Sequence, residues 1–144
     1  MSREQRKLAA IVFADIAGFT KQLHTDEPKG LTQRRAVEAL VKDSVASHHG
    51  RLIKTIGDAF MVEFGSAVEA VTFALDIQKQ LRGLDENEPI LMRVGVHSGD
   101  VVEEHGDLYG NAVNIAQRVQ TMAPPGGICI TREVFGQIRP ILKL

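Results

Sequence analysis

The chain has 144 residues, 44% hydrophobic and 24% charged, with a formal net charge of −1 and one cysteine. A single domain of this size buries roughly 70% of the surface its unfolded form exposes, and near-neutral charge without a basic stripe excludes nucleic acid as the main partner. Cys129 alone cannot build a disulfide framework or a cysteine zinc site, and with neither a secretion signal nor an apolar run long enough for a bilayer, a cytoplasmic domain is expected.

Residues 8–15, LAAIVFAD, read as a buried strand: short, rich in Ile, Val, Phe and Ala, and closed by an acidic residue. A helical region follows over about Gly18–Leu23 and again over Leu31–His48, with Leu31, Val37, Leu40, Val41 and Val45 on its apolar face. Gly50 is the expected stop, and His48 and His49 fall in the last turn as helix-end residues rather than a metal site. RLIKTIGDAFMVEF reads as a β-hairpin with Gly57-Asp58 at its tip. SAVEAVTFALDIQKQLRG is the clearest helix: Ser66 and Glu69 form a capping box, Val68, Val71 and Leu75 share the apolar face with Ile77 and Leu81, and Gly83 ends it. ILMRVGVHSGDVVEE is expected to give a strand, a Ser-Gly-Asp turn and a second strand. GNAVNIAQRVQTM is a helix, PPGG a turn, ICIT a strand holding Cys129 as a small core residue, and REVFGQI a last short helix. Helices alternating with hairpins predict an α+β sandwich with a mixed, mostly antiparallel sheet.

Two aspartates, Asp15 and Asp58, stand at the ends of apolar strands. Either could be a turn residue. Brought together, however, they would repel unless a cation lay between them, and Mg²⁺ suits a few hard oxygen ligands with positions left for phosphate and water. The run IAGFT after Asp15 offers backbone N–H groups at a helix start, a seat for phosphate. Asn111, Asn114 and Arg118 fall on one polar line of a helix. A solvated face is the simplest account, but two asparagines inside a helix are mildly unfavourable and hint at ligand contact. Arg93 and Lys54 are charges set in apolar strands, each wanting an anionic partner. His97 reads as a strand or turn residue with a local hydrogen bond, and His24 and His105 as surface residues.

VFADIAGFT, IKTIGDAFMVEF, MRVGVHSGDV and DLYGNAVNIAQRV together resemble, in order and spacing, the catalytic domain of the class III nucleotidyl cyclases, over about Leu8–Arg139. In style the chain is similar to the bacterial adenylyl cyclases that carry this domain singly and act as homodimers. The resemblance implies a ferredoxin-like βαββαβ sandwich and one catalytic domain over residues 1–144. It implies that Asp15, Asp58 and the carbonyl of Ile16 hold two Mg²⁺ (or Mn²⁺) ions per active site, and that Lys54 and Asp107 read adenine, favouring ATP over GTP. Asn114 would orient the ribose, Arg118 would stabilise the α-phosphate in the transition state, and Arg93 would contact phosphate. The amides of Gly18, Phe19 and Thr20 would cradle the terminal phosphates.

The implied reaction is attack of the ATP 3′-hydroxyl on the α-phosphorus, giving 3′,5′-cyclic AMP and pyrophosphate, with Asp15, water or the substrate itself as proton acceptor. Metal aspartates from one protomer would meet base, ribose and Arg118 positions from the other. One departure stands out: the family continues into another β-hairpin with a phosphate-contacting lysine, whereas this chain stops at RPILKL, is expected to be C-terminally truncated, and offers only Lys143 there. A catalytically silent nucleotide- or metal-binding regulatory domain and a guanylyl cyclase are the alternative readings, and a regulatory domain outside this sequence is compatible with all of them.

Overall fold

The computed structural model describes residues 5–85 and 87–143. In chain order the elements are β1 (Gln5–Ile16), α1 (Phe19–Thr25), α2 (Glu27–Ser47), β2 (Arg51–Ile56), β3 (Ala59–Phe64), α3 (Ala67–Arg82), β4 (Met92–Glu104), β5 (Asp107–Tyr109), α4 (Asn111–Thr121), β6 (Ile128–Ile130) and α5 (Arg132–Ile138). The sheet runs β2-β3-β1-β4-β5, with β6 parallel to β4 and the remaining pairs antiparallel. β2-β3-β1-β4 is the strand order of a ferredoxin-like βαββαβ sandwich, as expected. No helix of the described residues is long and apolar enough to cross a membrane.

β1 is apolar without alternation because both of its faces are buried. Ala10, Val12, Ala14 and Ile16 meet the layer of α2, α3 and α5, while Ala9, Ile11 and Phe13 meet α4 together with Met61, Val101 and Leu108. Val37, Val41 and Val45 supply the buried face of α2 as expected, whereas Leu75 of α3 lies outward, 43% exposed. The Ser66 cap accepts from the Glu69 amide at 3.1 Å.

Local chemistry misled the sequence reading in three places. α2 begins at Glu27 rather than Leu31: Asp26 caps it through the Lys29 amide at 3.1 Å and a proline occupies the first turn, where its missing N–H costs nothing. Its C-terminus is closed by His49 at φ 60°, not by Gly50. The Gly50 N–H reaches Val45 O at 2.8 Å and the His49 N–H reaches Ala46 O at 3.2 Å, the paired bonds of a Schellman motif. Gly50 is needed for packing, since a Cβ there would lie 2.4 Å from the Phe64 ring.

The third is β4, which is one continuous strand through Ser98-Gly99-Asp100, paired to Leu8, Ala9 and Ala10 of β1. The chain reverses later, at His105-Gly106. Gly95 and Gly99 are there because α4 lies directly on the strand: a Cβ on Gly95 would sit 2.3 Å from Gln120 N, and one on Gly99 3.1 Å from the Ala112 methyl. Gly95→Ala should therefore lower unfolding stability by roughly 3 kcal/mol or more, read as a fall in the urea midpoint. Gly136→Ala, where the new Cβ meets nothing within 4 Å, should move the midpoint the other way.

The two ends of the sheet meet. A flat sheet would hold β2 and β5 about 19 Å apart, four strand spacings, yet Lys54 Nζ is 2.9 Å from Asp107 Oδ2. Arg51 of β2 likewise reaches Glu103 of β4 at 2.9 Å, in a cluster with Lys7 and the buried Glu63. The sheet is coiled around the α4 side, and both candidate clusters of the site lie on that side.

Candidate active site

The first cluster gathers where β1 ends, β4 begins and the β2–β3 turn comes round. Asp15 pairs in register with Ala59 on one side and Arg93 on the other. Arg93 forks onto it, Nε to Oδ1 at 3.1 Å and Nη2 to Oδ2 at 2.8 Å. The Ile16 N–H donates to Asp58 Oδ2 at 3.2 Å, which holds the turn carboxylate against the end of β1. Gly57 makes that turn at φ 60°, and Arg34 of α2 secures it by donating from Nε to Gly57 O at 2.8 Å. Burial, and then the negative charge of Asp15, push Asp58 above the ordinary carboxylate pKa, against the pull of the Asp58 and Ile16 amides and of Arg93.

α1 follows at once. Gly18 is its N-cap at φ 76°, with no side-chain cap. Phe19 and Thr20 open its first turn, so their N–H groups have no intrahelical acceptor. Phe19 packs against the main core and Thr20 is exposed.

The second cluster is the Lys54–Asp107 pair. A bulge between Leu52 and Lys54 re-aims β2 at this point. Asp107 also accepts the Leu108 N–H at 2.7 Å, so both of its oxygens are engaged. Burial opposes ionisation of Asp107, but the Lys54 hydrogen bond, the Leu108 amide and the Lys54 charge outweigh it and hold the pKa below the usual carboxylate value. Beneath this pair lies a pocket of about 350 Å³ lined by Lys54, Ile56, Tyr109, Asn114 and Gln117, with Phe13 of β1 among its apolar walls. None of Asp15, Ile16, Asp58 or Arg93 lines it. Arg118 stands one helical turn beyond Asn114, exposed. Its guanidinium takes part in none of the ion pairs among the described residues.

The structure thus brings Asp15, Ile16, Asp58 and Arg93 together in one cluster and Lys54, Asp107 and Asn114 in a second, with Gly18, Phe19 and Thr20 following the first in the chain. The sequence reading missed Arg34, Tyr109 and Gln117. Gln117 was detectable three residues after Asn114 on the same helix line; Arg34 was not, because its partner is a backbone carbonyl 23 residues away. His48 and His49 turn to separate carboxylates, Asp76 at 3.0 Å and Glu69 at 3.1 Å. His97 is buried within β4, and its ring nitrogen meets Thr131 Oγ1 at 2.9 Å rather than a local partner. His24 and His105 are exposed, and Cys129 lies on β6 but is only half-buried.

No group of three or more His, Cys, Asp or Glu side chains that could hold a metal ion forms among the described residues. The available donor set is two carboxylates, Asp15 and Asp58, and the second has no ion-pair partner among the described residues. Two hard oxygen donors that leave most positions to water and phosphate fit Mg²⁺ or Mn²⁺ and do not fit a structural zinc ion.

Comparison with known proteins bears on these clusters. The family profile described as the Adenylate and Guanylate cyclase catalytic domain matches residues 1–139. A Rhizobium meliloti protein, whose name marks its designation as adenylate cyclase 3 as unproven, is 40% identical over 132 residues, covering 88% of this chain and 22% of that protein. An adenylate cyclase of Streptomyces coelicolor is 35% identical over 122 residues, 84% of this chain and 32% of that one. The chain spans less than a third of the length of these two relatives. Among solved structures, an adenylate/guanylate cyclase/hydrolase from Silicibacter pomeroyi superposes with a TM-score of 0.91 at 32% identity, covering 98% of this chain and 85% of that one.

Proposed function

The chain belongs to the adenylate and guanylate cyclase catalytic-domain family, and from that premise we propose that it is an adenylyl cyclase domain converting ATP to 3′,5′-cyclic AMP and pyrophosphate. The observation that carries the choice of base is the Lys54–Asp107 pair at 2.9 Å over the pocket that Asn114 lines. An adenine edge offers an acceptor ring nitrogen beside a donor amine, which matches one donor and one acceptor fixed side by side. Guanine reverses the two, so the same pair would meet it with like groups facing.

In this reading Asp15, Asp58 and the Ile16 carbonyl hold the divalent cations. Bound there, such cations supply a lowered pKa for the 3′-hydroxyl and counter-charge for pyrophosphate. Lys54 and Asp107 fix the base, and Asn114 orients the ribose so that the 3′-oxygen faces the α-phosphorus. Arg118 donates to the oxygens that gain charge as the new bond forms. Arg93 and the amides of Gly18, Phe19 and Thr20 receive the terminal phosphates. In-line attack needs little covalent help from protein, so positioning and charge stabilisation carry the catalysis.

The working unit in this reading is a homodimer with composite sites. Ile56 and Tyr109, each 52% exposed, and Met122, 72% exposed, flank the exposed polar line of Asn111, Asn114 and Arg118. That mixture of exposed apolar groups around unpaired polar ones is characteristic of a surface a partner covers.

Product analysis tests the function. The purified chain at high concentration is incubated with ATP or GTP and Mg²⁺ or Mn²⁺, beside an Asp58→Ala control. Cyclic AMP and pyrophosphate from ATP, absent with the variant, is the expected result. Cyclic GMP in preference would overturn the base assignment, and nucleotide binding without product would reassign the chain as a silent regulatory domain.

A further inference from the structure

The Asp15–Arg93 fork sets two uses of one residue against each other. Arg93 occupies both oxygens of Asp15, at 3.1 and 2.8 Å, from the facing position of the β1–β4 ladder. The Asp15 side chain is 15% exposed and that of Arg93 35%, so the pair lies at the lip of the site. The backbone around Arg93 is pinned. Gln78 Nε2 donates to Met92 O at 2.8 Å, Gln120 Nε2 donates to Arg93 O at 3.4 Å, and a Cβ on Gly95, two residues on, has no room. The guanidinium arm is the part left free to move.

A divalent cation seated on an Asp15 oxygen would lie within a few ångströms of that guanidinium, and the two positive charges compete for one carboxylate. Asp58 adds a second negative charge to the same corner, with the Ile16 amide and its own amide as its short-range donors. Arg93 is therefore placed as the resident counter-charge of a carboxylate pair that has no other ion-pair partner among the described residues.

We propose that Arg93 is an exchangeable counter-ion: it holds Asp15 in the cation-free chain, leaves it when the cation enters, and carries its charge to the polyphosphate. The inference rests on the nucleotide-cyclase reading and deepens it. Its consequence is thermodynamic. Cation entry releases a phosphate-binding arginine, and polyphosphate draws that arginine off a cation ligand, so each ligand tightens the other. The site then resists cation without nucleotide and nucleotide without cation.

The test follows the Arg93 Nε–H resonance by ¹⁵N NMR in the wild-type chain, assigned by its loss in Arg93→Lys. Backbone amides of Ile16 and Asp58 report cation entry independently. In metal-free protein the Nε–H is expected to exchange slowly with solvent. Added Mg²⁺ should shift it and speed its exchange by about tenfold, and 3′-deoxy-ATP, which cannot cyclise, should protect it again at a new position. Arg93→Gln should bind Mn²⁺ alone about fivefold more tightly and Mn²⁺ with 3′-deoxy-ATP more weakly. If the Ile16 and Asp58 amides titrate with Mg²⁺ while the Arg93 signal stays unmoved, the fork is a fixed brace and the exchange is wrong, although the cyclase reading stands. If nothing at either position moves with Mg²⁺ and saturating 3′-deoxy-ATP, the cation site itself fails and both readings fall.

Discussion

Arg118→Ala should lower kcat for cyclic AMP formation by about 10³ while changing nucleotide affinity only a few-fold. The expectation comes from where Arg118 stands. It is exposed, outside the pocket that Lys54 and Asn114 line, and its guanidinium is in none of the ion pairs among the described residues. Removing it breaks no packing, so stability should stay within about 0.5 kcal/mol of wild type. A side chain with no ground-state partner costs activity only if its partner appears during the reaction, when charge grows on the α-phosphate oxygens. Steady-state kinetics with ATP, beside equilibrium binding of 3′-deoxy-ATP, separates the cases. A loss of affinity with kcat kept would make Arg118 an ordinary binding residue. An unchanged kcat would remove it from the chemistry.

Much of this architecture was legible because local and global preferences agree. Ser66 announces α3 and caps it through the Glu69 amide, although the Glu69 carboxylate turns to Ser66 Oγ and His49 rather than to the Ser66 N–H that a full capping box requires. Gly57-Asp58 announces a turn that the structure contains. The failures lie where a tertiary contact outvotes local chemistry. Ser98-Gly99-Asp100 has the composition of a turn, but Gly99 is small because Ala112 of α4 rests on it, a fact 13 residues away in sequence. Pro28 and Gly30 look like helix breakers, yet one starts α2 and the other lies within it, buried against Leu23. Charges in apolar strands were the informative signal at the site. Lys54 and Arg93 each demanded an anion, and each has one, Asp107 and Asp15 respectively. What spacing could not supply was the coiling of the sheet, which alone lets β2 touch β5. For that reason the pairing of Lys54 with Asp107 came from family resemblance and not from periodicity.

The composite-site reading makes the second large prediction. Asp58→Ala and Arg118→Ala proteins, each inactive alone, should regain about a quarter of wild-type activity when mixed in equal amounts and allowed to exchange subunits. Random pairing makes half of the dimers mixed, and each mixed dimer holds one site with both residues intact and one with neither. The geometry within one chain makes the test necessary. Phe13 and Ile56 line the pocket and lie two residues from Asp15 and Asp58, so sequence neighbours of the cation ligands do reach the base-reading cluster. If a single chain closed the site on its own, each mutant would carry a lesion in every copy and mixing would restore nothing. If Asp58 and Arg118 meet only across a two-fold axis, the lesions separate onto different sites and recovery follows. Activity should also fall more steeply than in proportion on dilution, because the site disappears with the dimer. Recovery near a quarter together with that dilution curve assigns the site to two chains, whereas no recovery and activity linear in concentration would return it to one.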